Sequence, residues 1–219
     1  MDLGGCTWTE LDDAAAPIVV VPVGSCEQHG PHLPLHTDTV VATALARELV
    51  ARRTDCVLAP ALGVTASGEH QGFPGTLSIG TEIMAGVVIE LARSADWAAG
   101  VVFVNGHGGN ATAMQRARDV FELERRKVLV WWPHVPGGDP HAGRTETSLV
   151  LALAPDEVRV EAATAGPVPP MVDLVRHGVR ASSPTGVLGD PAGASADEGR
   201  AIFDRLADQL AAAVDTWAA

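Results

Sequence analysis

The chain has 219 residues, enough for one domain with a sizeable buried core. Apolar residues make up 47% and charged residues 19%, a balance that excludes a disordered chain. The formal net charge of −12 argues against nucleic acid as a partner, because phosphate recognition needs a basic face.

In chain order, Thr7–Leu11 predicts a short N-terminal helix whose Trp8 packs inward. Ile18–Val23 is a β-branched run without alternation, as expected of a strand buried on both faces. A turn rich in ligand-type residues, Glu27-Gln-His-Gly-Pro-His-Leu-Pro-Leu-His-Thr-Asp38, leads into a helix through about Arg52. Thr37 or Asp38 is placed to cap that helix, and Val41, Leu45 and Leu49 repeat four apart. Cys56–Ala59 is a second short strand. Leu62–Ser78 is a long loop of Gly, Ser and His, a length that points to function. Thr81 is expected to cap the next helix, with Met84, Val87, Val88 and Leu91 on one face.

Gly100–Asn105 is a third buried strand. It ends in Asn105-Gly-His-Gly-Gly-Asn110 and passes into a helix through Leu123. Val128–Trp132 is a fourth strand. Pro136–Ser148 then reads as a turn segment followed by a helix ending near Pro155. Val158–Arg180 reads as irregular and Ser183–Pro191 as turn-rich. A last helix from about Ser195 carries Ile202, Leu206, Leu210, Val214 and Trp217 on one side. Strands alternating with helices over residues 1–219 imply a single α/β domain, a mainly parallel β-sheet with helices on both faces. No run is apolar and long enough to span a bilayer, and the N-terminus lacks the basic region of a secretory signal. Cys6, Cys26 and Cys56 lack metal-knuckle spacing and read as reduced thiols. We therefore expect a cytoplasmic protein with no membrane contact.

Three histidine-bearing turns each follow a predicted strand: Glu27–Asp38, Asn105–Asn110 and Asp139–Glu146. If the strands are parallel, all three turns meet at the carboxyl edge of the sheet, where ligands bind in such folds. A hydrolytic two-metal centre needs about five or six N/O ligands with one carboxylate bridging. Glu27, His29, Asp38, His107 and Glu146 supply that set. Glu27 and His29 are two apart in extended chain, so each can reach a different ion, and Asp38 at a helix start is placed to bridge. His141 is the candidate general acid for a leaving amine. The N–H groups of Gly108 and Gly109 are candidates for holding an oxyanion. His134 and His177 read as ordinary loop histidines, and His32 and His36 as buttresses of their turn. Cys26 beside Glu27 raises a thiol mechanism, which leaves the carboxylates at 38 and 146 unexplained.

Four segments together resemble the creatininase family: Glu27–Asp38, Gly68-Glu-His-Gln-Gly-Phe-Pro-Gly-Thr76, Asn105–Asn110 and His141-Ala-Gly-Arg-Thr-Glu-Thr-Ser148. The resemblance runs from about Thr7 to the last helix. It implies a layered α/β/α fold and a metal-dependent amidohydrolase with two divalent ions, Zn or Fe(II), with Mn possible. It places first-ion ligands at Glu27 and His107, a second-ion ligand at His29, the bridge at Asp38, and the catalytic pair at His141 and Glu146. The chain departs from creatininase proper in two features. Gly109 stands where that enzyme has a second-ion Glu, which makes Glu146 the replacement ligand. Gly137 and Gly138 stand where it has an aromatic wall, which implies a more open site.

Pro136–Ser148 and Thr185–Pro191 are similar to a peptidase branch of the family. That branch cleaves near the C-terminus of a radical-modified precursor peptide and releases a cyclised Val-Tyr-derived unit. Glu69 and His70, with the loops Ser67–Gly75, Val135–Gly138 and Pro167–Val187, are then expected to contact the peptide. The family also implies a homo-oligomer, a hexamer-like ring of dimers. The alternatives are hydrolysis of a small cyclic amide or formamide, and a metal-binding scaffold without turnover.

Overall fold

A computed structural model describes residues 1–12 and 15–219. Four parallel strands form one sheet: β1 (Ile18–Val23), β2 (Cys56–Leu58), β3 (Gly100–Asn105) and β4 (Val128–Trp131), in the order β2-β1-β3-β4. Eight α-helices accompany them among the described residues: α1 (Trp8–Asp12), α2 (Thr37–Arg52), α3 (Gly80–Ser94), α4 (Ala111–Glu124), α5 (Arg144–Leu153), α6 (Met171–His177), α7 (Val179–Ser182) and α8 (Ala196–Ala218). The fold class is as the sequence implies.

All six residues of β1 and of β3 are buried, and alternate side chains feed two cores. Ile18, Val20, Val102 and Val104 pack with α2, α5 and α8, while Val19, Val21, Val101 and Phe103 pack with α3 and α4. Both sheet faces are thus covered, which is why these strands lack polar alternation.

The strand order positions the site. The chain leaves β1 toward β2 on one side and returns to β3 on the other, so the order reverses between β1 and β3. Crevices open at such switch points, beyond the carboxyl ends of the strands. The register pairs Val23 with Asn105, so β1 and β3 end level and the turns that follow start side by side.

Several local expectations are corrected. Neither Thr37 nor Asp38 caps α2: the N-cap position is His36, without a side-chain cap bond. The Thr37 hydroxyl instead donates to the Pro34 carbonyl at 2.8 Å, and Asp38 is turned into the site. Thr81 lies inside α3, and Ser78 Oγ accepts from the first helical N–H at 3.2 Å. Helix α5 begins at Arg144, so Glu146 is in its first turn rather than in a loop. Asp139 explains the early start: its Oδ2 accepts from Arg144 N at 2.6 Å, satisfying a donor that a helix start leaves free. The stretch read as irregular holds α6 and α7. Trp8 is 76% exposed and does not pack inward. Among the described residues no helix is long and apolar enough to cross a membrane. The three cysteines are unpaired.

Candidate metal centre

Three turns deliver the site to the β1/β3 crevice. The turn after β1 carries Glu27 and His29, and its last residues open α2, which presents Asp38 from the first helical turn. The turn after β3 carries His107, and a short 3-10 turn, Gly108–Asn110, joins it to α4. The segment after β4 brings His141, and α5 brings Glu146. Glu27 and His29 are fully buried, and Asp38, His107 and His141 nearly so. Burying so many ionisable groups is costly unless each has a charged or hydrogen-bonding partner.

Asp38 sits at the centre. Its Oδ1 is 3.2 Å from His29 Nε2, and its Oδ2 is 3.1 Å from His107 Nδ1. His29 Nε2 also lies 3.9 Å from Glu146 Oε2, and His107 Nε2 lies 3.1 Å from Glu27 Oε2. Four groups place one potential ligand atom per residue within 4.8 Å of the others: Glu27–His29–His141, Glu27–Glu69–His70, and the two that meet at the centre, Glu27–Asp38–His107 and His29–Asp38–Glu146. Asp38 is common to both and turns one oxygen to each side. The structure therefore brings together all five residues singled out as ligands.

Charge explains how this cluster holds together in the metal-free chain. Burial alone would lower the pKa of His29, but the charge and hydrogen bond of Asp38, with Glu146 and Glu27 behind them, raise it to about 9. His107 likewise overcomes burial through Asp38 and Glu27 and titrates well above the usual histidine range. Burial pushes Asp38 up, but His29 and His107 outweigh it and hold the carboxyl well below its usual range. Burial raises Glu146 to about 7, with Asp38 and Glu27 adding to the effect while His29 and the Ala142 N–H oppose it. The raised imidazole pKa values of His29 and His107 thus offset the buried carboxylates around them.

Glu27 tests whether the site suits real cations. Both its oxygens are buried and make no hydrogen bond: His107 Nε2 lies 3.1 Å from Oε2 but directs its proton to the Ala66 carbonyl at 2.9 Å, and His70 Nε2 lies 3.4 Å from Oε1. A buried carboxylate in that state is expensive, and a metal ion is the partner that would satisfy it. Mixed carboxylate and imidazole donors suit Zn, Fe(II) or Mn. The residues fit divalent ions.

Burial, with the nearby charges of His29 and His70, drives the His141 pKa well below normal, so the ring is neutral. Its Nε2–H donates to the Gln28 carbonyl at 2.8 Å, and Nδ1 lies 3.9 Å from Glu27 Oε1. Its backbone pairs with Leu188, through bonds of 3.3 and 2.9 Å, so the turn-rich segment holds the ring in place. The next residue, Ala142, has φ +52, a left-handed conformation disfavoured for any side chain. Its N–H donates to Glu146 Oε2 at 2.6 Å, tying the two catalytic candidates together.

Several organising residues escaped the sequence reading. The Gln28 side-chain amide donates to His70 Nδ1 at 2.8 Å and to the Gly186 carbonyl at 3.1 Å, and its nitrogen lies 3.0 Å from His141 Nε2. Ser25 donates to Asp38 Oδ2 at 2.8 Å. Asn105 donates to the His107 carbonyl at 2.7 Å, and Asn110 donates to Asn105 at 2.9 Å. Polar residues beside the motif histidines were the available signal. His70 is buried, titrates near 4 because of that burial, and lies 3.4 Å from Glu27 Oε1. His32 is buried and bonds Thr147 on α5 at 2.9 Å, whereas His36 pairs with Glu157 at the surface. The Cys26 thiol reaches only the Gly75 carbonyl, at 3.6 Å, and belongs to none of the ligand groups. A cavity of about 290 Å³ opens against Asp38, His107 and Glu146, walled by Trp132, Val135 and Gly138.

The family model for creatinine amidohydrolase, creatininase, matches residues 5–214. The chain is 48% identical to a mycofactocin precursor peptide peptidase of Mycobacterium tuberculosis, over 99% of this chain and 91% of the relative. Two solved structures share the fold at 26% identity. A mutant creatininase of Zn–Zn type superposes with a TM-score of 0.81, and a creatininase with Mn with 0.78; each match covers 97% of this chain and 96% of the other.

Proposed function

Because the chain belongs to the creatininase family of hydrolases, we propose that it is the peptidase acting on the radical-modified mycofactocin precursor peptide. It hydrolyses a peptide bond near the peptide's C-terminus and releases the cyclised Val-Tyr-derived unit. The observation that carries this reading is the pair of ligand triads sharing Asp38 at the β1/β3 crevice. The likeness to the M. tuberculosis peptidase supplies the substrate.

Glu27, Asp38 and His107 would hold one divalent ion, and His29, Asp38 and Glu146 the other. Zn and Fe(II) are the first choices and Mn the third. The bound ions supply Lewis-acid polarisation of the scissile carbonyl and a nucleophile at neutral pH. With Nε2–H fixed on the Gln28 carbonyl, His141 has its basic lone pair on Nδ1. That nitrogen takes the proton released on attack and passes it to the departing amine. Glu146 is catalytic as well as a ligand: its Oε2 accepts from the Ala142 N–H at 2.6 Å, which sets the carboxylate beside the His141 turn. The N–H groups of Gly108 and Gly109, at the entrance to α4, stabilise the oxyanion. Glu69 and His70 face the substrate.

Gly138 in the cavity wall leaves room for a peptide end rather than a small flat ring. The enzyme works in the cytoplasm as a homo-oligomer, a hexamer-like ring of dimers. Apolar side chains left open, among them Leu77 and Ile83, support that assembly.

A substrate panel tests the reading. The metal-loaded chain is incubated with matured precursor peptide, creatinine and a formamidopyrimidine, and products are followed by mass spectrometry. The expected result is release of the cyclised C-terminal unit alone. Turnover confined to creatinine or the formamide would establish small-amide hydrolysis instead, and metal binding without any turnover would leave a scaffold.

A further inference from the structure

Glu69 is the carboxylate at the site that neither triad uses. It sits in the 3-10 turn Gly68–His70, and its side chain is 30% exposed. Its Oε1 is 3.4 Å from His107 Nε2, and Glu27 Oε2 is 3.1 Å from the same nitrogen. Donor atoms about 2.0–2.1 Å from a tetrahedral ion stand roughly 3.3 Å from one another. Those two separations match donors gathered on a shared cation once Nε2 gives up the proton it directs to the Ala66 carbonyl at 2.9 Å. Glu27 and Glu69, with His70, also form a group able to bring one atom per residue within 4.8 Å.

Position 109 makes room for this arrangement. A Cβ on Gly109 would lie 1.9 Å from Glu69 Oε1, 2.4 Å from His107 Nε2 and 2.6 Å from the Ala66 carbonyl. No side chain at 109 can coexist with Glu69 where it stands. The same ion would also satisfy Glu27 alongside, which is fully buried and whose oxygens make no hydrogen bond.

The geometry points to Glu69 as a further ligand of the ion held by Glu27, Asp38 and His107, delivered from the loop before α3 into space that glycine at 109 leaves free. This rests on the two-ion reading above and changes Glu69 from a substrate contact into part of the centre. It also makes the ions unequal. The one beside Glu69 would have four protein ligands, and the other, with His29, Asp38 and Glu146, would have three and so leave room for a water or the substrate.

Metal retention tests this without reference to turnover. Wild type and Glu69→Gln are loaded with Zn, dialysed against graded chelator, and analysed for metal per chain. Gln keeps the shape of the side chain on a partly open turn, so the fold is preserved. Glu146→Gln serves as a comparator that weakens the other ion. Glu69→Gln is expected to release one ion of two at a chelator concentration at least about tenfold below wild type. The double variant is expected to lose both. A Glu69→Gln chain with the wild-type release curve would overturn the inference, whether or not KM for the peptide rises. A wild-type chain that binds no Zn would overturn the two-ion reading itself, and this inference with it.

Discussion

His29 shows how a single side chain is set for metal. Its ring lies between Asp38 and Glu146, whose charges raise its pKa from 6.5 to about 9. A metal ion needs the neutral ring, so uptake at pH 7 must expel the proton that the carboxylates favour. The raised pKa belongs to the metal-free state, so the contribution of His29 to affinity grows with pH through the window below about 9 and levels off above it. Calorimetric titration in two buffers of different ionisation enthalpy should reveal proton release at pH 7 and its loss above pH 9. If release and affinity stay constant across that window, His29 is not a ligand. Asp38 is the harder residue to replace, because it gives one oxygen to each side and Ser25 fixes its orientation.

Among the elements, α5 matters most, since it carries Glu146 and rests on α8. The contact is close: Glu198 of α8 accepts from Ser148 Oγ at 2.9 Å, and Gly199 lies directly over the Ser148 backbone. A Cβ on Gly199 would come within 1.8 Å of the Ser148 carbonyl oxygen, which has no rotamer with which to yield. Gly199→Ala must therefore part the helices. We expect a loss of roughly 1–3 kcal/mol in denaturant unfolding, typical of overpacking. We also expect weaker retention of the ion that Glu146 holds, because the first turn of α5 shifts with the helix. Unchanged stability would mean that α5 is less firmly seated than its contacts indicate. The segment before α8 works similarly through backbone bonds between His141 and Leu188.

At the scale of the whole molecule, the site lies at one edge of the sheet, and several apolar side chains remain uncovered elsewhere. Trp8 is 76% exposed, Ile83 61% and Leu77 56%, apolar surface whose contact with water costs free energy. Burial between copies would remove that cost. Sedimentation equilibrium at micromolar concentration is expected to show a closed assembly of hexamer size. A stable monomer would leave these residues unexplained and remove the ring.

Much of this protein was legible in its sequence. Unbroken β-branched runs at 18–23 and 100–105 can only be strands covered on both faces, and alternation with helices makes the sheet parallel. From that topology alone the turns bearing Glu27, His29, Asp38, His107 and Glu146 had to share an edge. Boundaries that depend on distant partners were not legible. Asp139 starts α5 from five residues upstream, and Asp38 faces the site rather than its own helix end. Nor could the sequence show that Gln28 joins His70 to His141, or that Glu69 occupies the space over Gly109. Residue spacing determines which groups reach a common edge. Which atoms then meet depends on side-chain packing between segments far apart in the chain, and only the tertiary structure decided that.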